Sequence, residues 1–481
     1  MSEAVRIRKN SLYSTLSITS RLIANVVVFW VLARYYGPKI FGQFSTAQNL
    51  ATNFIIFADF GFDLLLTTEI ARNRKNALQL FRQFYSLKAV FCLIALLSMW
   101  VISLFGNFSS ETKVLIFILS LYTVFSTLTN FLFALYKGFE HLEYESKISL
   151  IINVGLLILI LPLIIFKVNI FVIALVFVFS RVVGFIFGLN FVFKLLPKVS
   201  FKPLFENISA IRNKVIVFGL FLLFNNLFFQ LDTIFLSLWK SDHDAGIYSA
   251  VFRFIMLPLV IPDILTNTLM PLLSRLNVEN QLQWKKIGFL MNKILIAIVL
   301  PISIILFIYS EQIINIVYGS RDFAESVPVL KIFSLTLIVR FSVETYALLL
   351  TTSDRQKIRL YTVVVATILN LSINFFLIPL YGALGAAIVS LFTNIFVGVI
   401  YYLTNSNLIA EFLINIRTML FFLFSIGLAS LFWMIKSLNV FISLPMIGII
   451  FMIFAYNFFF TKEEKTLILS REFKFSFFNN K

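Results

Sequence analysis

Fourteen apolar segments of twenty or more residues follow one another along this chain, separated by short polar turns. About twenty apolar residues in a helix cross the hydrocarbon core of a bilayer, and lipid offers no partner for an open sheet edge. Only 13% of the residues are charged, against about 25% in a soluble domain, so the chain cannot cover itself against water. The sequence therefore predicts an all-α integral membrane protein with spans at 11–36, 41–66, 82–105, 112–136, 147–166, 169–193, 215–239, 246–274, 287–309, 325–352, 358–380, 382–404, 416–436 and 440–461.

The basic residues favour alternate loops. With the N-terminus placed in the cytoplasm, the inside segments hold 27 Lys and Arg residues and the outside segments hold seven. The positive-inside rule predicts such a bias, and one miscounted span midway would reverse its sign downstream. Both termini are therefore expected in the cytoplasm. This topology explains the net charge of +17, and no nucleic-acid partner is predicted.

The chain is expected to consist of two halves and an appended hairpin. The most basic inside loop follows span six and contains Pro203, which suits a linker. Because six spans separate spans one and seven, the halves would be parallel repeats. The predicted divisions are an N-terminal lobe at 1–196, a cytoplasmic basic linker at 197–214, a C-terminal lobe at 215–405, accessory spans thirteen and fourteen at 416–461 and a cytoplasmic tail at 462–481.

A short sequence echo supports the repeat. Gly42-Gln43-Phe44-Ser45 corresponds to Gly246-Ile247-Tyr248-Ser249, and each opens an apolar helix after a short polar turn. The first copy follows the Gly-Pro turn at 37–38. In the second half, three prolines are expected to bend or loosen span eight, because proline removes a backbone hydrogen bond: Pro258, Pro262 and Pro271.

Charged residues inside the spans are the candidate site residues. An Asp or Arg at mid-span costs about 2.5–3.5 kcal/mol on insertion scales, so each should face a partner or a wet cavity. Lys88, Asp63 and Lys331 lie near helix ends and are expected to reach water. The basic candidates for a substrate head group are Arg21, Arg181, Arg253 and Arg340. The acidic candidates for a cavity or for ion coupling are Asp59, Asp232, Asp263 and Glu344.

Two interpretations of these charges stay open. Small and polar residues share one face of span one, as if lining a cavity: Ser17, Ser20, Arg21, Ala24 and Asn25. The alternative is a set of buried ion pairs that only hold helices together, such as Arg21 with Asp59 or Asp232 with Arg253. Arg340 and Glu344 are four residues apart and can neutralise each other. Arg181 has no acid near it in sequence, and an unpaired guanidinium facing a cavity would suit phosphate.

Catalytic and metal chemistry are not predicted. The chain has one cysteine, Cys92, and only His141 and His243 among possible imidazole ligands. No catalytic residue, metal site or cofactor is therefore assigned. A coupling proton or sodium ion held by Asp59 or Asp232 is the one small ligand that the sequence leaves open.

Four stretches, in order, resemble the polysaccharide-biosynthesis flippases, which include O-antigen repeat-unit flippases. They are LARYYGPKIFGQFSTAQ with FADFGFD, LDTIFLSLWKSDHDAGIYSAVFRFIMLPLVIPDILTNTLMPLLSRL, IVYGSRDFAESVPVLKIF, and NLSINFFLIPLYGALGAAIVSLF. The resemblance covers spans one to twelve and extends to the multidrug/oligosaccharidyl-lipid/polysaccharide exporter superfamily. It implies two six-helix lobes around a central cavity, with spans thirteen and fourteen as accessory helices.

The same resemblance implies a function. An undecaprenyl-pyrophosphate-linked repeat unit of O-antigen, capsule or a related polysaccharide would cross from the cytoplasmic to the outer leaflet of the bacterial cytoplasmic (inner) membrane by alternating access. Cavity arginines would bind the head group, the polyprenyl tail would stay in lipid, and no bond would break. Other polysaccharide-assembly membrane proteins are a further class of partner. The alternatives are a multidrug or cation antiporter of the same fold and a polysaccharide polymerase or ligase, which would be expected to carry a large outside loop.

Overall fold

The computed structural model describes residues 3–197, 199, 201–204, 231–319, 321–405, 416–436 and 438–469. Within these ranges every regular element is a helix, as the sequence predicts. Most of the predicted linker at 197–214, the first part of span seven at 215–230 and the end of the tail at 470–481 lie outside the described residues.

The helices follow the predicted spans closely. They are α1 (Glu3–Asp59), α2 (Phe62–Arg72), α3 (Ala77–Phe105), α4 (Ser110–Gly138), α5 (Leu142–Ile165), α6 (Ile170–Leu195), α7 (231–239), α8 (Asp242–Met256), α9 (Val260–Glu279), α10 (Gln281–Ile308), α11 (Ser310–Tyr318), α12 (Ser326–Thr352), α13 (Gln356–Thr404), α14 (Ile416–Met434), α15 (Val440–Phe454) and α16 (Lys462–Leu469). A π-helical turn at Ala455–Phe459 continues α15.

Ten helical stretches of the described residues are long and apolar enough to cross a membrane. Two of these, the α1–α2 stretch and α13, each contain two predicted spans, divided by non-helical backbone at Gly37 and at Gly382. Helices α8 and α9 are together long and apolar enough for one further span, and the bend of 42° between them confirms the bend expected from the prolines. These stretches correspond to thirteen of the fourteen predicted spans, and the first part of the remaining one, span seven, lies outside the described residues.

Glycine makes the first of these turns possible. Gly37 has φ 73° and ψ 175°, and a positive φ is accessible to glycine without the steric cost that a β-carbon brings. The next residue, Pro38, fixes its own φ and cannot donate a backbone hydrogen bond to the preceding turn. The helix therefore reverses within a few residues, and two spans follow without a loop.

The chain divides into two compact units, Met1–Ser249 and Ala250–Lys481, called unit one and unit two below. In unit one, α1 packs against α4 and α5, and α4 also packs against α6. An aromatic core joins α2, α3 and α4 through Phe62, Phe81, Phe84 and Phe131. The predicted lobe boundary at 197–214 stays a prediction.

In unit two, α12 packs against α10 and α13, and the accessory helices α14 and α15 pack against α10. Phenylalanine rings join α14 to α15 and to the π-helical turn that follows it. Phe421 stacks on Phe459 with 4.1 Å between ring centres, and Phe424 stacks on Phe454 at 3.7 Å. Stacked rings of this kind add to the free energy gained by close packing.

Polar contacts fix both ends of the accessory hairpin. At one end, the side-chain amide of Gln312 donates to the carbonyl oxygens of Lys436 and Leu438, both at 3.1 Å, and accepts from the Val440 N–H at 3.0 Å. At the other end, the Lys293 ammonium lies 2.8 and 3.0 Å from the two carboxylate oxygens of Glu464. The hairpin is therefore part of the folded core of unit two.

Glu464 is itself held by the start of α16. Its carboxylate accepts from the Thr461 N–H at 2.7 Å, and the Thr461 hydroxyl accepts from the Glu464 N–H at 3.2 Å. This reciprocal pair is a capping box, which satisfies two backbone donors that the first turn of a helix leaves free. The α16 helix thus begins where it can present Glu464 to Lys293.

Candidate functional site

A break between α1 and α2 lies at the centre of the best-defined charge cluster in unit one. Asp59 ends α1, and Asp63 lies in the first turn of α2. Between them, Phe60 and Gly61 have φ values of 43° and 84°. A left-handed conformation is unfavourable for a phenylalanine, so the surrounding contacts must hold it. One such contact is the Asp63 N–H, which donates to the Asp59 carboxylate at 3.1 Å and so caps α2.

Lys88 of α3 joins these two acids. Its ammonium donates to Asp59 Oδ1 at 2.9 Å and to the carboxylate of Asp63, and it lies 5.4 Å from the ring centre of Phe131. The expectation that Lys88 reaches water is wrong, because its side chain is 0% exposed. Lysine can be buried so completely here because two carboxylates replace the water that its charge requires. Asp59 therefore pairs with Lys88 and not with Arg21.

The polar face predicted on span one is divided between two environments. Ser17 donates to the Ser149 hydroxyl at 2.8 Å, and the Asn153 amide donates to the Ser20 hydroxyl at 3.1 Å. These contacts hold that part of α1 against α5. Arg21, on the same helix, is exposed on unit one. It makes no ion pair with any residue that the structure describes.

Arg181 on α6 is a half-buried cation held by a neutral partner. One guanidinium nitrogen donates to the Tyr122 hydroxyl at 3.1 Å, and the guanidinium carbon lies 5.1 Å from the centre of the Tyr122 ring. Its Nε is buried and has no hydrogen-bond partner among the described residues. No ion pair with an acid of the described chain neutralises this charge.

The acids around α7 and α8 are already hydrogen bonded. Asp232 is 4% exposed and accepts from the Tyr248 hydroxyl at 2.5 Å. Asp242, which no sequence pattern singled out, accepts from the hydroxyls of Ser109 at 2.5 Å, Thr112 at 3.1 Å and Ser237 at 2.5 Å. Ser109 and Thr112 lie 133 and 130 residues from Asp242 in the chain, so no local pattern in the sequence could have identified this cluster.

The two echo motifs meet in unit one. A β-carbon on Gly42 would lie 2.6 Å from the backbone nitrogen of Gly246 and would overlap the carbonyl oxygen of Asp242. A β-carbon on Gly246 would lie 3.1 Å from the backbone nitrogen of Gly42 and would overlap the carbonyl oxygen of Pro38. The equivalent glycines of the two motifs therefore allow α1 and α8 to touch backbone to backbone.

In unit two, the structure gathers predicted site residues from two helices. Glu344 interacts electrostatically with Arg359, Asp263 and Arg340, and it accepts from the Thr266 hydroxyl at 3.4 Å. Arg359 lies at the start of α13. Its guanidinium also donates to the Thr351 hydroxyl at 2.7 Å. Glu344 therefore lies within electrostatic range of two arginines.

Arg253 lies apart from this group. It is half-buried on α8 and lies within electrostatic range of Tyr318 on α11. Tyr318 in turn donates to the Ala250 carbonyl at 2.8 Å, which ties α11 to the beginning of unit two. The four predicted arginines thus occupy different surroundings, and the structure does not bring them into one cluster within either unit.

The described residues contain no group of three or more His, Cys, Asp and Glu side chains arranged to hold a metal ion. Cys92 is buried beside Ala58 and Ala95. His141 pairs with Glu143 at 2.9 Å, and its ring stacks on Tyr144.

Two family profiles match the sequence. One, described as “Polysaccharide biosynthesis protein”, matches residues 7–277, which is more than half of the chain. The other, described as “MatE”, matches residues 218–376. No curated protein matches this sequence at a significant level.

Solved structures share the fold. The chain is similar to the lipid II flippase MurJ in an inward closed conformation, with a TM-score of 0.74 and 15% identity over 96% of this chain and 99% of that one. It is also similar to an inward-facing multidrug resistance MATE family transporter of the MOP superfamily, with a TM-score of 0.65 and 14% identity over 81% and 95% of the two chains. A third match is the MATE multidrug transporter DinF-BH in complex with R6G, with a TM-score of 0.58 and 13% identity over 86% and 98%.

Proposed function

This chain belongs to the polysaccharide biosynthesis protein family, and on that premise we propose that it is a flippase for a lipid-linked oligosaccharide. The cargo is an undecaprenyl-pyrophosphate-linked repeat unit of O-antigen, capsule or a related polysaccharide. It moves from the cytoplasmic to the outer leaflet of the bacterial cytoplasmic membrane, by alternating access, with both termini of the protein in the cytoplasm. No covalent bond forms or breaks, so the protein is a transporter and not an enzyme.

Arg181 is the observation that carries this proposal. A cation at mid-span is costly unless an anion accompanies it, and among the described residues Arg181 has only a tyrosine hydroxyl and ring. Its planar fork of donors matches the oxygens of a phosphate. A pyrophosphate head group would supply the missing negative charge. Arg21, exposed on the same unit, is a second cation for that group.

The acids of unit one weigh against an organic cation as cargo. A multidrug antiporter needs carboxylates that are free to hold a cationic drug. In unit one, Asp59 and Asp63 are occupied by Lys88, and Asp232 accepts a hydrogen bond from Tyr248. In the described part of this unit, the cations inside the spans that have no acid in an ion pair with them are Arg21 and Arg181. This balance favours an anionic head group over a cation.

Complementation tests the proposal in a strain that lacks its own repeat-unit flippase. Wild type is compared with Arg181→Ala and Arg181→Lys at matched membrane expression, and surface polysaccharide is measured. We expect loss of export with the alanine variant and partial export with the lysine variant, which keeps the charge but loses the fork of donors. Arg275→Ala is the matched control, because Arg275 is 64% exposed and its ion-pair partner among the described residues is Glu279 on its own helix.

Normal export by a well-expressed Arg181→Ala variant would show that Arg181 does not bind the head group of the cargo. A wild type that fails to restore export with several repeat-unit types, but confers resistance to cationic drugs, would favour the antiporter. The fold is shared with both kinds of transporter, so this functional comparison distinguishes them where the architecture does not.

A further inference from the structure

The charges at the α1–α2 break do not balance. Two carboxylates, Asp59 and Asp63, face one ammonium, that of Lys88. With all three groups ionised, the cluster carries a net charge of minus one inside a membrane protein. A net charge in such surroundings is costly, and two carboxylates that share one site do not both ionise freely.

Within the part of the chain that the structure describes, no second cation pairs with these acids. Titratable groups that face the cluster are the two acids on α1 and α2, Lys88 on α3 and the thiol of Cys92, also on α3. From α4, the neighbour of Lys88 is the apolar ring of Phe131. No other basic side chain of the described residues forms an ion pair with either acid. Among the described residues, the second carboxylate therefore has no cation of its own.

A proton fits this place better than a metal ion does. The Lys88 ammonium already lies between the carboxylates, 2.9 Å from Asp59 Oδ1, and would repel another cation. Hard metal ions also require several oxygen ligands, about six for calcium or magnesium, and two carboxylates cannot provide them. A proton needs only one carboxylate oxygen.

We propose that Asp59, Asp63 and Lys88 form a proton-binding site that holds one exchangeable proton on the carboxylate pair. The proton comes from hydronium in the aqueous phase: a carboxylate oxygen takes it, a carboxylic acid forms, and water is left. Each acidic side chain is 21% exposed while Lys88 is 0% exposed, so the acids are the accessible groups of the cluster. Because the two acids interact strongly, the proton belongs to the pair.

The position of this site links the proton to backbone geometry. Asp59 and Asp63 stand on either side of the left-handed residues Phe60 and Gly61, and the Asp63 N–H donates to Asp59. A proton on Asp63 weakens its attraction to Lys88 and leaves the Asp59–Lys88 pair intact. The ion pair that joins α2 to α3 through Asp63 is then weakened, while the ion pair that joins α1 to α3 through Asp59 remains. The inference goes beyond the proposed function, since it requires no particular cargo.

Infrared difference spectroscopy on the full-length protein in lipid nanodiscs tests the site directly. The carbonyl stretch of a protonated carboxylic acid is followed as the pH is lowered. We expect wild type to show a band that Asp59→Asn and Asp63→Asn both lose, because each leaves one carboxylate opposite one ammonium. Asp242→Asn is the control and should keep the band, since Asp242 bonds to three hydroxyls elsewhere in unit one.

Asp63→Glu provides a second variant that retains the acid and should shift the position of the band without abolishing it. Equal bands in wild type and both asparagine variants would overturn the proposal, as would the loss of the band in Asp242→Asn alone. If the asparagine variants do not fold, the Asp63→Glu variant decides. A carboxylic acid band at the same position as in wild type would show that Asp63 does not carry the proton. The readout is independent of export, so its failure is distinguishable from a failed complementation.

Discussion

Gly42 and Gly246, the equivalent glycines of two short sequence echoes, face each other across a backbone contact in unit one. A β-carbon on Gly42 would lie 2.6 Å from the nitrogen of Gly246, closer than real β-carbons approach such atoms. Any side chain at either position must push α1 and α8 apart. The echo therefore marks a contact between helices, besides suggesting a repeat.

Substitution of either glycine tests this contact. Gly246→Ala and Gly42→Ala should each destabilise the purified protein, because overpacking a tight interior costs about 1–3 kcal/mol. The measurement is the thermal unfolding midpoint in detergent at matched purity. Gly427→Ala and Gly448→Ala are the controls, since no other atom lies within 4 Å of a β-carbon at those positions. Equal midpoints for all four variants would contradict the close contact.

Asp242 should stabilise unit one through its three hydroxyl donors. Asp242→Ala leaves the hydroxyls of Ser109, Thr112 and Ser237 without their shared acceptor, and a buried polar group that loses its partner costs about 1–3 kcal/mol. We expect a lowered thermal midpoint, with a smaller decrease for Ser109→Ala, which removes one donor. Glu279→Ala, at a 62% exposed carboxylate, should leave the midpoint unchanged. A stable Asp242→Ala protein would show that the three hydroxyls find other acceptors.

The buried ion pair of Lys293 and Glu464 should contribute more to the stability of the fold than the exposed pair of Lys286 and Glu463. Glu464→Gln leaves a buried ammonium without a carboxylate, and breaking a buried pair costs about 3–5 kcal/mol. The double variant Lys293→Met/Glu464→Gln removes both charges and should recover much of the lost stability. Lys286 and Glu463 are 4.0 Å apart and 58% and 85% exposed, so Glu463→Gln should change little. Unfolding midpoints of the four proteins provide the comparison, and equal losses for Glu463→Gln and Glu464→Gln would refute it.

The positions of the spans could be predicted because apolar length is a local property of the sequence. Whether a stretch holds about twenty apolar residues can be read from that stretch alone. The Gly-Pro pair at 37–38 likewise predicts the turn within α1. The bend of span eight was equally accessible, because proline acts on its own helix. These features need no knowledge of which helix lies beside which.

The partners of the buried charges could not be predicted in this way. Lys88 lies 25 and 29 residues from its two acids, on another helix, and Lys293 lies 171 residues from Glu464. Helical periodicity assigns a residue to one face of its helix, but it does not show which other helix packs against that face. One signal was available: the sequence Asp59-Phe60-Gly61-Phe62-Asp63 places a glycine between two acids, which favours a break there. No comparable sequence signal identifies Lys88 as the partner of these acids.

The long separation between Lys293 and Glu464 also has a consequence for the order of assembly. The ribosome makes Lys293 171 residues before Glu464, so α10 enters the membrane while its future counter-ion does not yet exist. During that interval the ammonium must stay near water, and α10 cannot take its final depth and rotation. The ammonium gains its carboxylate when the segment that carries Glu464 has been made. A chain truncated before Glu464 therefore leaves α10 with a cation that its fold is built to bury but cannot neutralise.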